Sequence, residues 1–434
     1  MPYINLQNFL VLVVVVMLFC IVCKKIRKKR RRRLRLKIDD FHCGRFHFED
    51  KVQDDLISKI KYALAKNDQE SLYHFLRQVD GACDKRDHKK RELRGDVITI
   101  GFFCNYMNSG IFRNTVGIYN DFFDKIKWVG CQISSDYAVI GVSCPVITFS
   151  SVESAIDYAN RNFDFVIDAD FLLRPKNFYE VLRKTSCYTL NYYNFSCSSY
   201  NNNLDAFLVT SGLEVSKYQP TEKVITLPAQ GSWLLKEQEE FFPDYICDIM
   251  FIGDQFKYGQ NFLKLYRNFS DEFKIIFLGL KDACYFSKHL REAGWNMKNI
   301  KFHKRIDEDN AFRYFLTKTK VVVDTPDYSG GSSTLYALRS GAPVLTLNGQ
   351  YLLDGMTSSM VKEMGLGEMS FDSVEEMKNF IRSKSVQEMK GYSKYVAKKT
   401  SESLYFQPGK FLPIFYDELM KVFGREGDSK NVEL

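Results

Sequence analysis

The chain has 434 residues, 45% of them hydrophobic, enough to bury two packed cores. Its net charge of +8 is concentrated: eleven of the fourteen residues from Lys24 to Lys37 are Lys or Arg, and taking these eleven away leaves −3 for the rest. That balance excludes a basic nucleic-acid-binding body, and eleven dispersed cysteines, from Cys20 to Cys284, fit a reducing compartment rather than a disulfide scaffold.

Phe9 to Cys23 is an unbroken apolar run of fifteen residues, and no charged side chain occurs from Met1 to Cys23. A membrane span ordinarily takes about 20 residues, but snorkelling lysines and a thinned bilayer accommodate a shorter one. A cleaved signal peptide puts its positive charge before the apolar core, and here the charge follows. Residues 1–23 are therefore expected to form a single transmembrane helix. The positive-inside rule places its N-terminus outside and the body in the cytoplasm. Residues 24–47 form a basic juxtamembrane segment, expected to hold anionic lipids through Lys24–Lys37 at about 1 kcal/mol per cation. A nuclear-localisation or RNA-binding tail is the rival reading, and the preceding anchor argues against nucleic acid.

Residues 48–95 repeat apolar positions at helical spacing (Val52, Leu56, Ile57, Ile60, Leu64, then Leu72, Phe75 and Leu76) and read as a helical linker. A first α/β unit, residues 96–240, opens on the β-branched run from Val97 to Phe103. A helix is expected near Phe112 to Ile126. Strands are expected at Tyr137–Val142, Pro145–Phe149, Phe165–Asp168, Tyr188–Leu190, Ala206–Thr210 and Lys223–Leu227, with helices near Val152–Asn160 and Lys176–Lys184. Alternating strands and helices predict a parallel sheet covered on both faces. The pattern weakens over Ala229–Asp244, and a second unit, residues 241–434, begins at Asp248. Its strands are expected at Asp248–Gly253, Lys274–Leu278, Asn299–Phe302, Val321–Val323 and Pro343–Leu347. The end from Val374 to Phe423 is predicted helical, with Pro408 and Pro413 interrupting it.

The most informative stretch is Val321–Gly341. A β-branched strand runs into Asp324-Thr325-Pro326, a turn containing Gly330-Gly331, and then Ser332-Ser333-Thr334, which offer N-cap chemistry to a helix ending near Gly341. Such a helix start presents N–H groups and a positive dipole end to an anion, usually a phosphate. An ordinary βα turn needs the same residues, so this feature alone leaves both readings open.

Two doubly wound units in succession are the plan of the GT-B glycosyltransferases, in which ligands sit beyond the carboxyl ends of the strands. Asp324-Thr325-Pro326, Gly330-Gly331-Ser332-Ser333-Thr334, Ala337-Leu338 and Gly341-Ala342-Pro343-Val344-Leu345-Thr346-Leu347-Asn348-Gly349 resemble the C-terminal unit of the O-GlcNAc transferase family. Ser358-Ser359, Gly365-Leu366 and Glu368 continue the likeness. A weaker echo runs through Asp168, Leu182-Arg183, Leu190–Tyr200, Asp205 and Glu222–Pro228. The family's helical repeats are absent. The resemblance implies transfer from a UDP-sugar with inversion, no cofactor and no metal. It puts Ser332 and Ser333 on the donor phosphates, beside Asp324, Gly330, Gly331 and Thr334. It places Gln255 and Lys257, displaced by one residue, near the uridine diphosphate, where a cation stabilises the departing phosphate. A solvated surface lysine is the alternative for Lys257.

The sequence also departs from the family. Its histidine after the first strand is missing from Asn105–Gly110, its histidine before the paired hydroxyls is Gly331, and its ribose-binding Asp is Tyr336. Asp168 and Asp170, at a strand end of the first unit, are candidate general bases, with a helix cap or turn as the other reading for each. The whole reads as a membrane-anchored glycosyltransferase acting on a protein or lipid-linked glycan. A non-catalytic nucleotide-sugar-binding or scaffold protein is the alternative that the missing histidines favour.

Overall fold

Short runs of β-branched and aromatic residues, buried on both faces, build two parallel sheets. The computed structural model describes residue 93 and residues 95–104, 115–133, 142–168, 176–191, 204–210, 224–227, 244–253, 257–306, 309–326, 331–348 and 355–424. All of these belong to one unit, Val52–Leu434. The expected anchor, basic segment and nearly all of the linker lie outside the described residues, as do residues 137–141 and 229–243. Among the described residues no helix is long and apolar enough to cross a membrane.

The first sheet contains β1 (Ile98–Phe103), β2 (Ile126–Ile133), β3 (Val146–Phe149), β4 (Phe165–Asp168) and β5 (Tyr188–Asn191), in the order β3-β2-β1-β4-β5. Every pairing is parallel. Helix α1 (Val152–Asn162) begins with a capping box on Ser151 and Ser154, and α2 (Lys176–Lys184) connects β4 to β5. A two-stranded parallel ladder of β6 (Phe207–Thr210) and β7 (Val224–Leu227) joins β5 through a bridge between Leu190 and Ala206.

The second sheet contains β8 (Cys247–Ile252), β9 (Ile275–Leu278), β10 (Ile300–His303), β11 (Thr319–Val323), β12 (Val344–Leu347) and β13 (Ser370–Phe371). Its order is β10-β9-β8-β11-β12-β13, again all parallel. The connections carry α3 (Gln260–Leu265), α4 (Phe269–Glu272), α5 (Ala283–Glu292), α6 (Asp309–Thr317), α7 (Ser332–Arg339) and α8 (Gly355–Glu363). Helices α9 (Val374–Ser383), α10 (Val386–Glu402) and α11 (Pro408–Phe423) complete the chain's described part.

Two expectations are corrected. The segment expected as a helix to Ile126 holds a 3-10 turn, Val116–Asp121, and then β2. The Asn120 side chain pairs with both backbone groups of Trp128, accepting from its N–H at 2.8 Å and donating to its carbonyl at 3.0 Å. This clamp turns the chain from the 3-10 turn into the strand. The prolines do not break the last helix either. Pro408 opens α11 at a position whose N–H has no helical acceptor, and Pro413 is accommodated inside the helix.

Helix α11 returns to the first sheet. Phe415 stacks on Trp128 with ring centroids 5.8 Å apart, and Phe423 packs on Tyr188 at 4.6 Å and on Phe165 at 5.4 Å. The Tyr416 hydroxyl donates to the Asp96 carbonyl at 2.7 Å.

Candidate active site

In both sheets the first strand of the unit lies beside the fourth, so the chain winds away in opposite directions from that pair. Ligands of open α/β sheets sit at such a switch point, beyond the carboxyl strand ends. In the second sheet the flanking connections are those after β8 and β11; Lys257 belongs to the first, and Ser333 lies in the helix that follows the second.

Strand β8 ends at Ile252, and Gly253 follows with φ +149°. A Cβ on Gly253 would stand 2.5 Å from Lys257 Cδ, so the missing side chain is what lets the lysine stem lie across the strand end. Gly279, after β9, approaches the same turn: its Cβ would be 3.0 Å from the Gly253 carbonyl oxygen. The Tyr258 hydroxyl donates to that oxygen at 3.3 Å. Lys257 is consequently only 9% exposed, not the solvated surface lysine that was the alternative. Its Nζ donates towards Ser333 Oγ at 3.5 Å, the outer limit of a hydrogen bond.

Ser333 stands in the first turn of α7. The N-cap is Gly331 and makes no side-chain cap bond, which corrects the expectation that the hydroxyl residues cap the helix. Gly331 adopts φ +47° and ψ −121°, a combination that side chains disfavour, and this is the physical reason for glycine there. The cap shifted back by one residue leaves 332–334 as the first three helical positions, whose N–H groups point out of the helix start. The Thr334 hydroxyl turns aside, 3.4 Å from Thr357 Oγ1 of α8. Asp324 is buried and continues the ladder beyond β11, its N–H donating to the Leu345 carbonyl at 2.9 Å. A buried cation, a hydroxyl and a positive helix end therefore converge at the switch point. That arrangement holds an anion with fixed donors and no rearrangement.

Asn348, beyond β12, gathers further residues of the sequence motif. Its Oδ1 accepts from Ser358 at 3.2 Å, from Lys362 at 2.8 Å and from Ser370 at 2.5 Å, fastening α8 and β13 to the sheet. Ser358 thus has a structural task. Helix α7 is tied at its other end, where the Arg339 guanidinium lies over the Phe406 ring at 5.6 Å.

In the first sheet Asp168 is the last residue of β4, 2% exposed, in register with Phe103 on one side and Asn191 on the other. The Asn191 amide pairs with the Leu208 backbone, accepting from its N–H at 2.8 Å and fixing β6 to this strand end. His289 keeps to its own helix, its Nδ1 3.0 Å from the Tyr285 carbonyl. Asp170, Gln255 and Gly330 lie outside the described residues. Among the described residues no group of three or more His, Cys, Asp or Glu is placed to hold a metal ion. The sequence missed the role of Gly253, whose only signal was a glycine directly after a strand. It also missed the aromatic pair of Tyr336 on α7 and Phe312 on α6, 5.8 Å apart at 63°.

The chain matches no protein-family profile and no curated protein sequence. Among solved structures it is similar to a variant O-GlcNAc transferase from Thermobaculum terrenum, with a TM-score of 0.64 at 13% identity over 81% of this chain and 72% of that one. It is also similar to sucrose-phosphate synthase from Thermosynechococcus elongatus, with a TM-score of 0.52 at 11% identity over 75% of this chain and 99% of that one. A glycosyltransferase from Rickettsia africae gives a TM-score of 0.51 at 12% identity, over 75% and 99% of the two chains. The body of this chain has the two-sheet GT-B fold that these structures share.

Proposed function

We propose that this chain is a glycosyltransferase that moves a hexosyl or N-acetylhexosaminyl group from a UDP-sugar to an acceptor. The observation that carries the proposal is the approach of Lys257 Nζ to Ser333 Oγ across the switch point, at the start of α7. A sugar leaves a nucleotide as its diphosphate departs, and negative charge grows on the bridging and β-phosphate oxygens. A lysine held in place by burial meets that charge more effectively than a hydrated one, because little reorganisation precedes it. Ser333 and the N–H groups at the start of α7 hold the same diphosphate. No metal is required in this scheme, since the lysine and the helix dipole supply the positive charge.

Transfer with inversion needs a base for the acceptor hydroxyl on the opposite side of the sugar. The candidates are Asp168, the last residue of β4, and Asp170, two residues further on in the sequence. The acceptor is a protein or a lipid-linked glycan, and the apolar and basic N-terminal sequence supports a membrane-held enzyme with its body in the cytoplasm, where nucleotide sugars are made.

The test is a screen of the full chain against nucleotide sugars, reading nucleotide release together with thermal stabilisation. Release from at least one UDP-sugar is expected, with stabilisation by UDP. Stabilisation without release under any acceptor condition favours the non-catalytic binding protein. No response to any nucleotide sugar rejects the donor site.

A further inference from the structure

The diphosphate site uses Lys257 and Ser333, and close to it in the chain fold an aromatic pair, Tyr336 and Phe312, packs against the edge of the core. Tyr336 is three residues beyond Ser333 on α7, so the two share a face of the helix. A helical side chain leans towards its own N-terminus, so the Tyr336 side chain is inclined towards the end of α7 that carries Ser333. Phe312 reaches it from the early part of α6, and the two rings meet edge to face at 5.8 Å. Both are half-buried, neither sealed into the core nor fully in solvent. Helix α7 carries no acidic residue anywhere in Ser332–Arg339, so it has no carboxylate with which to accept from a ribose diol.

We infer that the nucleoside of the donor stacks against Tyr336, backed by Phe312, so that the site selects nucleoside diphosphates through the aromatic face of the base. This rests on the diphosphate reading of the Lys257–Ser333 site and adds to it the part of the donor next to the phosphates. Stacking is tolerant of base identity, because every base has a π-face. The inference therefore assigns this wall a nucleotide-dependent but weakly base-selective contribution.

The experiment is calorimetric titration of the full chain with UDP, GDP, ADP and inorganic pyrophosphate, for the parent and for Tyr336→Leu and Tyr336→Phe. In the parent, the three nucleotides are expected to bind within about tenfold of one another and each at least about tenfold more tightly than pyrophosphate. Tyr336→Leu should lose about tenfold or more for every nucleotide while holding pyrophosphate within about twofold; Tyr336→Phe should restore nucleotide binding. Equal losses for nucleotide and pyrophosphate would show that Tyr336 only packs α7 against α6, and overturn the inference. So would unchanged nucleotide binding in Tyr336→Leu, or a preference of over about 100-fold for one base. If the parent binds neither pyrophosphate nor any nucleotide, the anion site itself fails, and the stacking wall falls with it. Thermal melting checks that Tyr336→Leu is folded; if it is not, Phe312→Leu takes its place and should lose nucleotide affinity in the same selective way.

Discussion

At the scale of single residues, the site depends on an absence. Gly253 gives the Lys257 stem room to cross the end of β8, and a Cβ there would collide with Lys257 Cδ. If Lys257 carries the leaving-group charge, Gly253→Ala and Lys257→Met damage the same interaction. Each is expected to lower kcat by about 10²- to 10³-fold, the range for removing one fixed donor to a developing anion. The donor KM should move far less, because the charge is largest in the transition state. The double variant should be no worse than Lys257→Met alone. A multiplicative loss in the double variant would separate the two residues and remove Gly253 from the positioning of the lysine. Lys257 was legible in the sequence only as a choice between a catalytic and a solvated lysine. Its burial depends on how the stem returns over Gly253, a three-dimensional collision that a glycine after a strand does not announce.

Single elements show where sequence patterns carry and where they stop. The strand of Val321–Val323 and the helix that follows were readable, because β-branched content and Gly-Ser punctuation are local signals. The identity of the cap was not: serine favours caps in general, whereas here the backbone reverses through a positive φ that glycine alone adopts with ease. Strand β2 was not foreseen beyond the end of the helix expected to Ile126, because its burial is nearly continuous towards its end, leaving little alternation to count. Between α4 and α9 the decisive feature is tertiary. Lys378, 9% exposed at its side chain, pairs with Glu272, and Arg382 donates to the same carboxylate through Nε at 2.7 Å. The hydrogen bond from Lys378, opposed by desolvation and assisted by Arg382, holds the Glu272 carboxyl below its ordinary range. A depressed carboxylate contributes stability that is present above its unfolded pKa and lost as pH falls through the folded one. Glu272→Gln is accordingly expected to destabilise the body by about 1 kcal/mol near neutrality, a figure held down by the 34% exposure of the Glu272 side chain. It leaves the Lys378 ammonium only its longer contact with Glu375, at 3.9 Å. The difference from the parent should shrink as pH falls below the carboxylate range. Denaturant unfolding at several pH values checks this, and a pH-independent difference would assign the loss to shape rather than charge.

At the scale of the whole molecule, the two sheets repeat one strand order, with the second extended by β13. Both were foreseeable as alternating strands and helices, whereas the return of the last helix to the first sheet was not. No local pattern reveals which surface an amphipathic C-terminal helix will cover, and the two prolines suggested an interrupted end. The helix instead buries Phe411, Phe415, Leu419 and Phe423. Phe415 covers the Trp128 ring on β2, and Phe423 covers Phe165 and Tyr188 on β4 and β5, so α11 spans several strands of the first sheet. The sheet's core is therefore completed by residues more than two hundred positions away in sequence. Phe415→Ala should expose Trp128 and leave a cavity that costs about 3–5 kcal/mol, the range for truncating a buried aromatic. Trp128 lies directly under the lost ring, so in a background with Trp233 and Trp295 replaced by Phe its fluorescence reports the first sheet's own transition. The loss is expected to appear there, as a lower denaturation midpoint, while the donor affinity of the folded protein at low temperature stays unchanged, since Lys257 and Ser333 belong to the other sheet. A fall in donor affinity with no change in the tryptophan transition would mean that α11 supports the second unit, and that the first sheet stands without it.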